Sequence, residues 1–181
     1  MTFTDEVLDA LGVAATEDGS DAVAGFRVRR RRIRVERWAG PRPYSLSEDC
    51  RKERSLLVAP DGRMSCIEVE VVRLLRARWQ AGWVQGFPCG SRRWGDWIWS
   101  ALGEPLRGLN EQVQAARGKR RTSTFSGHPD VAVTDGRRFA YIECKMEDRL
   151  KASQVEWFGH AFGRGIVTPE QVLVVQGLAR D

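Results

Sequence analysis

The sequence predicts an α/β fold. An apolar stripe with helical spacing begins near residue 65, and short apolar segments typical of strands follow it. A second helical segment and a last apolar segment come next, so the order is helix, three strands, helix, strand. With 181 residues, of which 42% are hydrophobic, the chain fits a single domain around one core.

Residues 1–64 are expected to form an arm outside this core. A short helix is predicted from Thr4, with an acidic first turn and a stop at Gly12, and residues 17–20 are interpreted as a loop. Residues 26–38 place apolar side chains in a broken alternation with arginines. That pattern predicts a strand with one Arg-rich face.

The core is predicted over 65–181, and it begins with a helix. Residues 65–68 read Ser-Cys-Ile-Glu, the pattern of a capping box, and the apolar stripe behind it predicts a helix of about 15 residues ending near Gln80. Residues 82–87 are interpreted as the first strand of the core. An insertion over about 88–127 follows, with three tryptophans and a short predicted helix.

A hairpin, a helix and a strand complete the predicted core. The apolar segments 131–134 and 138–144 flank Asp135-Gly136, a dipeptide typical of a two-residue hairpin turn. A second Ser-x-x-Glu capping box opens a helix predicted over 153–163. The apolar run at 172–175 predicts the last strand.

Positive charge is unevenly distributed along the chain. Residues 26–38 carry seven arginines against one acid, and a second basic zone lies at 117–121, whereas residues 1–25 hold six acids and no base. Arginine supplies 25 of the 29 basic side chains, and its guanidinium binds phosphate in a bidentate manner and stacks on bases. These zones predict a polyanionic partner, most simply a nucleic acid, with a solvated basic surface as the alternative.

The composition disfavours several classes of protein. No apolar run is long enough for a membrane span, and the acidic start is unlike a signal peptide. The four cysteines include no Cys-x-x-Cys pair, and two histidines offer little for a His-based zinc site or a Ser-His-Asp triad. A soluble protein of the cytoplasm with reduced thiols is therefore expected.

The predicted hairpin carries residues suited to catalysis. Along the strand 138–144 and just beyond it, Tyr141, Glu143 and Lys145 share one face because side chains alternate. A two-residue turn would place Asp130 opposite Tyr141, on the same face as Glu143 and diagonally next to it. Two carboxylates and an ammonium at one sheet edge match the oxygen ligands that Mg²⁺ prefers, beside a group that stabilises phosphate charge. A longer turn is expected to shift the register by one position, which would break this arrangement.

Several short patterns occur in the order found in one nuclease family. Pro129-Asp130 is followed by Glu143-Cys144-Lys145, and then by Asp148-Arg149-Leu150 and Gln154-Val-Glu-Trp157. This arrangement, together with the order of helices and strands, resembles the PD-(D/E)xK nuclease superfamily and, within it, the VRR-Nuc branch. The segment from Glu68 to Arg78 is also similar to the first helix of archaeal Holliday-junction resolvases.

The resemblance covers about residues 65–177 and implies both a fold and a catalytic set. The implied fold is a restriction-endonuclease-like core, an α-β-β-β-α-β mixed sheet flanked by helices, while the N-terminal arm and the helical insertion lie outside the resemblance. The implied catalytic residues are Glu68, Asp130, Glu143, Lys145 and Gln154. The implied ligands of Mg²⁺ or Mn²⁺ are the carboxylates of Asp130, Glu143 and Glu68 and the backbone carbonyl of Cys144. Lys145 would position the attacking water, and Gln154 would hold Lys145 or a phosphate oxygen. For Glu68, the capping box at the start of the helix is the alternative role.

The implied function is a metal-dependent endonuclease that hydrolyses phosphodiester bonds of DNA. Selectivity for a junction, a flap or a nick stays open, and an RNA-cleaving toxin or defence effector and a non-catalytic nucleic-acid-binding module are the alternatives. The expected partner is DNA, with RNA as the alternative and no membrane, and many relatives work as homodimers. The basic residues expected to contact nucleic acid are Arg29, Arg30, Arg31, Arg32, Arg117, Lys119, Arg120 and Arg121.

Overall fold

The computed structural model describes residues 1–12, 15–37, 39–40, 56–62, 64–83, 112–113, 115–116, 118, 127–146 and 149–179, which include both helices and strands. The helices with defined bounds are α1 (Phe3–Ala10), α2 (Ile67–Arg76) and α3 (Ala152–Gly163). The strands are β1 (Ala15–Val23), β2 (Phe26–Val35), β3 (Leu56–Val58), β4 (Met64–Cys66), β5 (Gln80–Trp83), β6 (Val131–Thr134), β7 (Phe139–Met146) and β8 (Val172–Ala179). A 3₁₀ turn at Pro169–Gln171 precedes β8. Across these described segments, no helix is long and apolar enough to cross a membrane.

Six strands form one mixed sheet in the order β1-β2-β8-β7-β6-β5. β8 runs parallel to both of its neighbours, β2 and β7, whereas the other neighbouring strands are antiparallel. The short strands β3 and β4 form a separate antiparallel pair. The predicted α/β class is confirmed, and the predicted series of helix, three strands, helix and strand corresponds to α2, β5, β6, β7, α3 and β8.

Helices cover both faces of the sheet because its central strands are apolar on both faces. On one face, Ile142 of β7 and Leu173 of β8 belong to a core that includes residues of α1 and α2. On the other face, Tyr141 and Val172 belong to a second core with Trp157 of α3. The predicted alternation along β7 is confirmed, and an acidic side chain in this strand must lie between the sheet and a helix.

The N-terminal segment, predicted as an arm, supplies two strands of the main sheet. β2 pairs in parallel with β8 throughout Arg29–Val35. The loop predicted at residues 17–20 is wrong, because these residues lie in β1, which pairs with β2. β1 has no apolar alternation, and it pairs with the Arg-rich β2. Asp21 of β1 accepts two hydrogen bonds from Arg30 of β2. Complementary charge contributes to matching these two strands.

Two helices begin at residues other than those predicted. The cap of α1 is Thr2 rather than Thr4, since the Thr2 hydroxyl accepts from the Asp5 amide at 3.2 Å and the Asp5 carboxylate accepts from the Thr2 amide. α3 begins after Lys151. The amide of Lys151 donates to Oε1 of Gln154, in the first turn of the helix, at 2.8 Å. The Ser-x-x-Glu box predicted for this helix is therefore wrong.

The capping box predicted at residues 65–68 is also wrong. Ser65 lies in β4, and its hydroxyl donates to Oε1 of Glu70 at 2.7 Å instead of capping the helix. α2 ends at Arg76, earlier than predicted, because the chain turns and enters β5 at Gln80. The helix itself is confirmed, with its apolar stripe facing the core.

The turn between β6 and β7 is longer than predicted. Thr134 pairs with Phe139, so four residues rather than two form the loop. Oδ1 of Asp135 accepts from the amides of Arg137 and Arg138 at 2.9 and 2.8 Å, and this side chain holds the loop closed. The register moves by two positions, which keeps every side chain on its predicted face.

Asp135→Asn tests how this loop is held. The amides of Arg138 and Arg137 lower the pKa of Asp135 from 3.8 to about 2, with a further contribution from the Arg138 guanidinium. Because the pKa is lower in the folded chain, the stabilisation is complete above pH 3.8 and is lost as the pH falls through about 2. We expect wild type to unfold a few degrees above Asp135→Asn at neutral pH.

The two unfolding midpoints should converge as the pH approaches about 2, measured by circular dichroism during heating. Asp9→Asn, at an exposed position of α1, is the matched control and should leave the midpoint unchanged. A difference between wild type and Asp135→Asn that is constant over this pH range would contradict the role of the carboxylate.

Candidate active site

Asp130 and Glu143 are brought together by the register of β6 and β7. The strands pair through Val131↔Ile142, so one further step along the register places Asp130 opposite Glu143. The predicted pairing of Asp130 with Tyr141 is wrong, since the longer turn moves the register. Asp130 nevertheless lies on the predicted face, and its Oδ2 accepts from the Cys144 amide at 2.9 Å, which fixes it against β7.

Glu143 is completely buried, at 0% exposure, on the side of β7 that faces α3. Its Oε1 accepts from Nζ of Lys145 at 2.5 Å and from Nε2 of Gln154. Its Oε2 is also buried and, among the described residues, has no hydrogen-bond partner. One half of this carboxylate is thus held by two donors, and the other half is left for a further group.

The surroundings of Asp130 and Glu143 disfavour a negative charge on both carboxyl groups at once. Burial raises the pKa of Glu143 well above its ordinary value, and repulsion from the Asp130 carboxylate raises it further, while Lys145 acts in the other direction. The Lys145 side chain is only 10% exposed, so its charge is screened little by solvent. With both acids ionised, the single ammonium would leave this cluster with excess negative charge.

Gln154 connects the first turn of α3 to the acidic pair. It is 8% exposed and has two defined contacts, one from the Lys151 amide to its Oε1 and one from its own Nε2 to Glu143. Gln154 therefore donates to the same carboxylate oxygen as Lys145. Because Gln154 lies in the first turn of α3, this hydrogen bond ties the Glu143 side chain to the start of the helix and fixes its rotamer.

Glu68 approaches β7 from the side of α2. It is 2% exposed in the first turn of that helix. The pKa of the Cys144 thiol is raised well above its ordinary value, first by burial and then by the carboxylates of Asp130, Glu68 and Glu143. Three carboxylates therefore contribute to the raised pKa of this thiol, although Glu68 comes from the opposite face of the sheet to Glu143.

The acidic pair has the chemistry of a site for a hard divalent cation. Asp130 and Glu143 supply carboxylate oxygens, and the unpartnered buried Oε2 of Glu143 and the mutual repulsion fit a positive ion. Within the described residues, no three His, Cys, Asp or Glu side chains converge on one metal position. The roles of Glu68 and of the Cys144 carbonyl as ligands stay predictions.

Four of the arginines predicted to bind nucleic acid, residues 29–32, lie in β2, an interior strand of the sheet. β2 is flanked by β1 and β8, and three of these side chains contact acceptors of the chain itself. Arg29 binds Asp5 at 2.5 Å, Arg30 binds both carboxylate oxygens of Asp21, and Arg31 donates to the carbonyl of Leu8 at 3.0 Å. Arg32 lies half-buried on the face that α3 covers. Arg117, Lys119, Arg120, Arg121 and the tryptophans of the predicted insertion lie outside the described residues.

Sequence reasoning missed Gln176, which lies next to the site. β7 and β8 pair Lys145 with Gln176, and partners in neighbouring strands point to the same face. The signal was present in the sequence, since β8 reads VLVVQGLA and Gln176 is its one polar side chain. A strand buried on both faces rarely contains an amide without a polar neighbour.

No protein-family model, curated protein or solved structure matches the chain. The resemblance to PD-(D/E)xK nucleases is carried by the motif residues quoted above and by nothing outside this chain.

Gly127→Ala tests whether the loop that carries Asp130 is packed against α3. Gly127 has φ of +93°, and a Cβ there would collide with the backbone carbonyl of Ser153. We expect the substitution to lower the free energy of unfolding by about 3 kcal/mol or more, measured in urea, because strain and a backbone clash combine.

Gly165→Ala is the matched control for this change. Its φ of +62° is also positive, but a Cβ there would meet nothing within 4 Å. It should cost only about 1 kcal/mol, from backbone strain alone. Equal losses in the two variants would mean that the Gly127 loop does not touch α3.

Proposed function

We propose that the protein is a metal-dependent nuclease that hydrolyses phosphodiester bonds of DNA. The observation that carries the proposal is the buried Glu143, held by Lys145 and Gln154 opposite Asp130. A buried acid beside a second acid and a lysine lowers the stability of the fold, because each unpaired charge in the interior costs several kcal/mol. The same groups can bind a metal ion and stabilise negative charge on a phosphate.

Asp130 and Glu143 are the side chains that would hold Mg²⁺ or Mn²⁺. When bound, such an ion neutralises charge on the phosphate and lowers the pKa of a coordinated water. Lys145 remains beside the acids and orients the water while stabilising negative charge that builds on the phosphate. Gln154 is a positioning residue, since it holds Glu143 in one rotamer.

The wider arrangement supports assigning the fold to the restriction-endonuclease-like class of PD-(D/E)xK enzymes. The acidic pair lies on two antiparallel strands between helices on both faces, in the order α-β-β-β-α-β. Glu68 lies in the first turn of the first helix of that series and brings a third acid near β7. The arginine-rich composition supports a polyanionic substrate, DNA is proposed because the motif resemblance implies it, and structure-selective cutting of junctions, flaps or nicks belongs to the same proposal.

Replacing Asp130 and Lys145 tests their proposed catalytic roles. Asp130→Asn and Lys145→Met should each lower the rate of DNA cleavage in Mg²⁺ by at least about 10²- to 10³-fold, since each removes charge stabilisation from the transition state. The assay is gel electrophoresis of labelled duplex, single-stranded, flap and four-way-junction DNA, with RNA of the same sequence alongside.

Asp9→Asn is the control, because it removes an exposed acid of α1, a helix that packs on the opposite face of the sheet to Glu143. Its cleavage rate should equal that of wild type. Cleavage in EDTA, or full activity in both Asp130→Asn and Lys145→Met, would refute the mechanism. Cutting of RNA alone would transfer the proposal to an RNA substrate.

Thermal unfolding tests the cation site without any activity assay. The raised pKa of Glu143 means that the folded chain holds a proton more tightly than the unfolded chain, whose value is near 4.5. The stability of wild type without metal should therefore fall, relative to Glu143→Gln, as the pH rises from about 4.5 to neutrality.

Adding Mg²⁺ or Mn²⁺ at neutral pH should reverse this order. Ligand binding stabilises wild type by about 2.7 kcal/mol at a hundredfold excess over the dissociation constant, whereas Glu143→Gln should gain little. The readout is the unfolding midpoint with and without each ion. An equal shift in both proteins would show that the ion binds elsewhere.

A further inference from the structure

A cleft lined by three arginines lies beside the candidate active site. Its volume is about 500 Å³, and its walls come from β1, β2, β8 and the start of α3. The polar lining consists of Asp21, Arg30, Arg32, Arg149 and Gln176. Three cations and one anion face this space, so its described walls carry excess positive charge.

The cleft continues the row of side chains that contains Lys145. Gln176 of β8 pairs with Lys145 on one side and with Arg32 of β2 on the other. Paired residues of parallel strands share a face, so these three side chains follow one another across the sheet. Neighbouring strands lie about 4.8 Å apart, which puts Arg32 about 10 Å from Lys145 measured between backbones.

The polar groups of the cleft have different tasks. Arg30 is engaged by both oxygens of Asp21, and this pair joins β1 to β2. Arg149 is exposed just before α3. Gln176 adds a neutral amide donor between the cleft and Lys145. Arginine and amide donors at the mouth of an open cleft fit the oxygens of a phosphodiester.

We propose that the cleft binds a backbone phosphate of the strand being cut, a few nucleotides from the scissile bond. The proposal rests on the nuclease function and adds a direction to it. One strand would run from the acidic pair past Lys145 and Gln176 to Arg32 and Arg149, across β7, β8 and β2. Phosphates along one strand of a duplex advance about 3.4 Å per nucleotide, so a span of about 10 Å covers a few nucleotides.

A free phosphate or a mononucleotide shares the chemistry of a backbone phosphate. The continuity of the cleft with the Lys145 row favours a strand, because a strand can occupy both places at once. Inorganic phosphate serves as the probe that separates these ligands. A cleft built for a small anion would bind phosphate in a manner that depends on Arg149, while DNA affinity would not depend on that residue.

The test measures DNA binding in EDTA, by fluorescence anisotropy of a labelled strand and of its duplex at several salt concentrations. Arg149→Gln and Arg32→Gln should each reduce the slope of log K against log salt by about 0.7 to 0.9. The same loss predicts affinity about fivefold weaker at roughly 0.15 M salt. Arg164→Gln, at the exposed C-terminal end of α3, is the matched control and should change neither quantity.

A second arm locates the contact along the strand. Single methylphosphonate linkages, which remove one phosphate charge, are placed at successive positions on either side of the cleavage site. One position should weaken binding of wild type yet have no further effect on Arg149→Gln, because the two changes remove the same contact. Arg164→Gln should respond to every linkage as wild type does.

The outcomes separate this proposal from the nuclease proposal. Unchanged salt slopes in both arginine variants, with cleavage intact, would overturn the cleft and leave the nuclease standing. Reduced slopes without any cleavage in wild type would overturn the nuclease and leave a phosphate site. Arg149 lies in an exposed position before the helix, so its variant should fold, and a circular dichroism spectrum of Arg32→Gln is the check that this variant folds as wild type does.

Discussion

A carboxylate buried between a sheet and a helix costs several kcal/mol unless donors surround it, and Glu143 imposes that constraint on its neighbours. Lys145 and Gln154 meet one of its oxygens, and Asp130 crowds it from β6. The requirement couples β6, β7 and the first turn of α3, because each supplies one of these groups. Within the described residues, this stability cost falls on the atoms that the proposed phosphate chemistry would use.

The arginines of β2 illustrate how a local charge is divided between two tasks. Side chains on the face of α1 contact Asp5 and a carbonyl of that helix, so they hold the N-terminal elements to the sheet. On the face of α3, Arg30 is matched by Asp21 of β1, and Arg32 lines the cleft together with Arg149. The strongest basic segment of the sequence is therefore largely internal, and part of it lines the cleft.

Periodicity predicted the elements that bury apolar side chains and the faces of β7, since these follow directly from a repeat of two or 3.6 residues. It failed where polar side chains determine the backbone. Asp135 lengthened the hairpin loop by binding two amides, Ser65 bound Glu70 instead of a helix terminus, and a polar β1 was interpreted as a loop. The juxtaposition of Asp130 and Glu143 survived the wrong turn because the register moved by an even number of positions. The contact between Gln154 and Glu143 joins a helix terminus to a strand, and no local pattern encodes it.

The parallel pairing of β8 with both β2 and β7 also affects the order in which the sheet can assemble. β1 and β2 form a local hairpin, and β5, β6 and β7 form a local meander, but these two halves do not pair with each other. β8 joins them, and its partners in β2 lie well over a hundred positions earlier in the chain. Closing so long a loop is slow, so the facing edges of the hairpin and of the meander stay unpaired until β8 arrives. The acidic pair needs only β6 and β7 and can form within the meander, whereas the cleft has walls from β1, β2 and β8 and is therefore completed last.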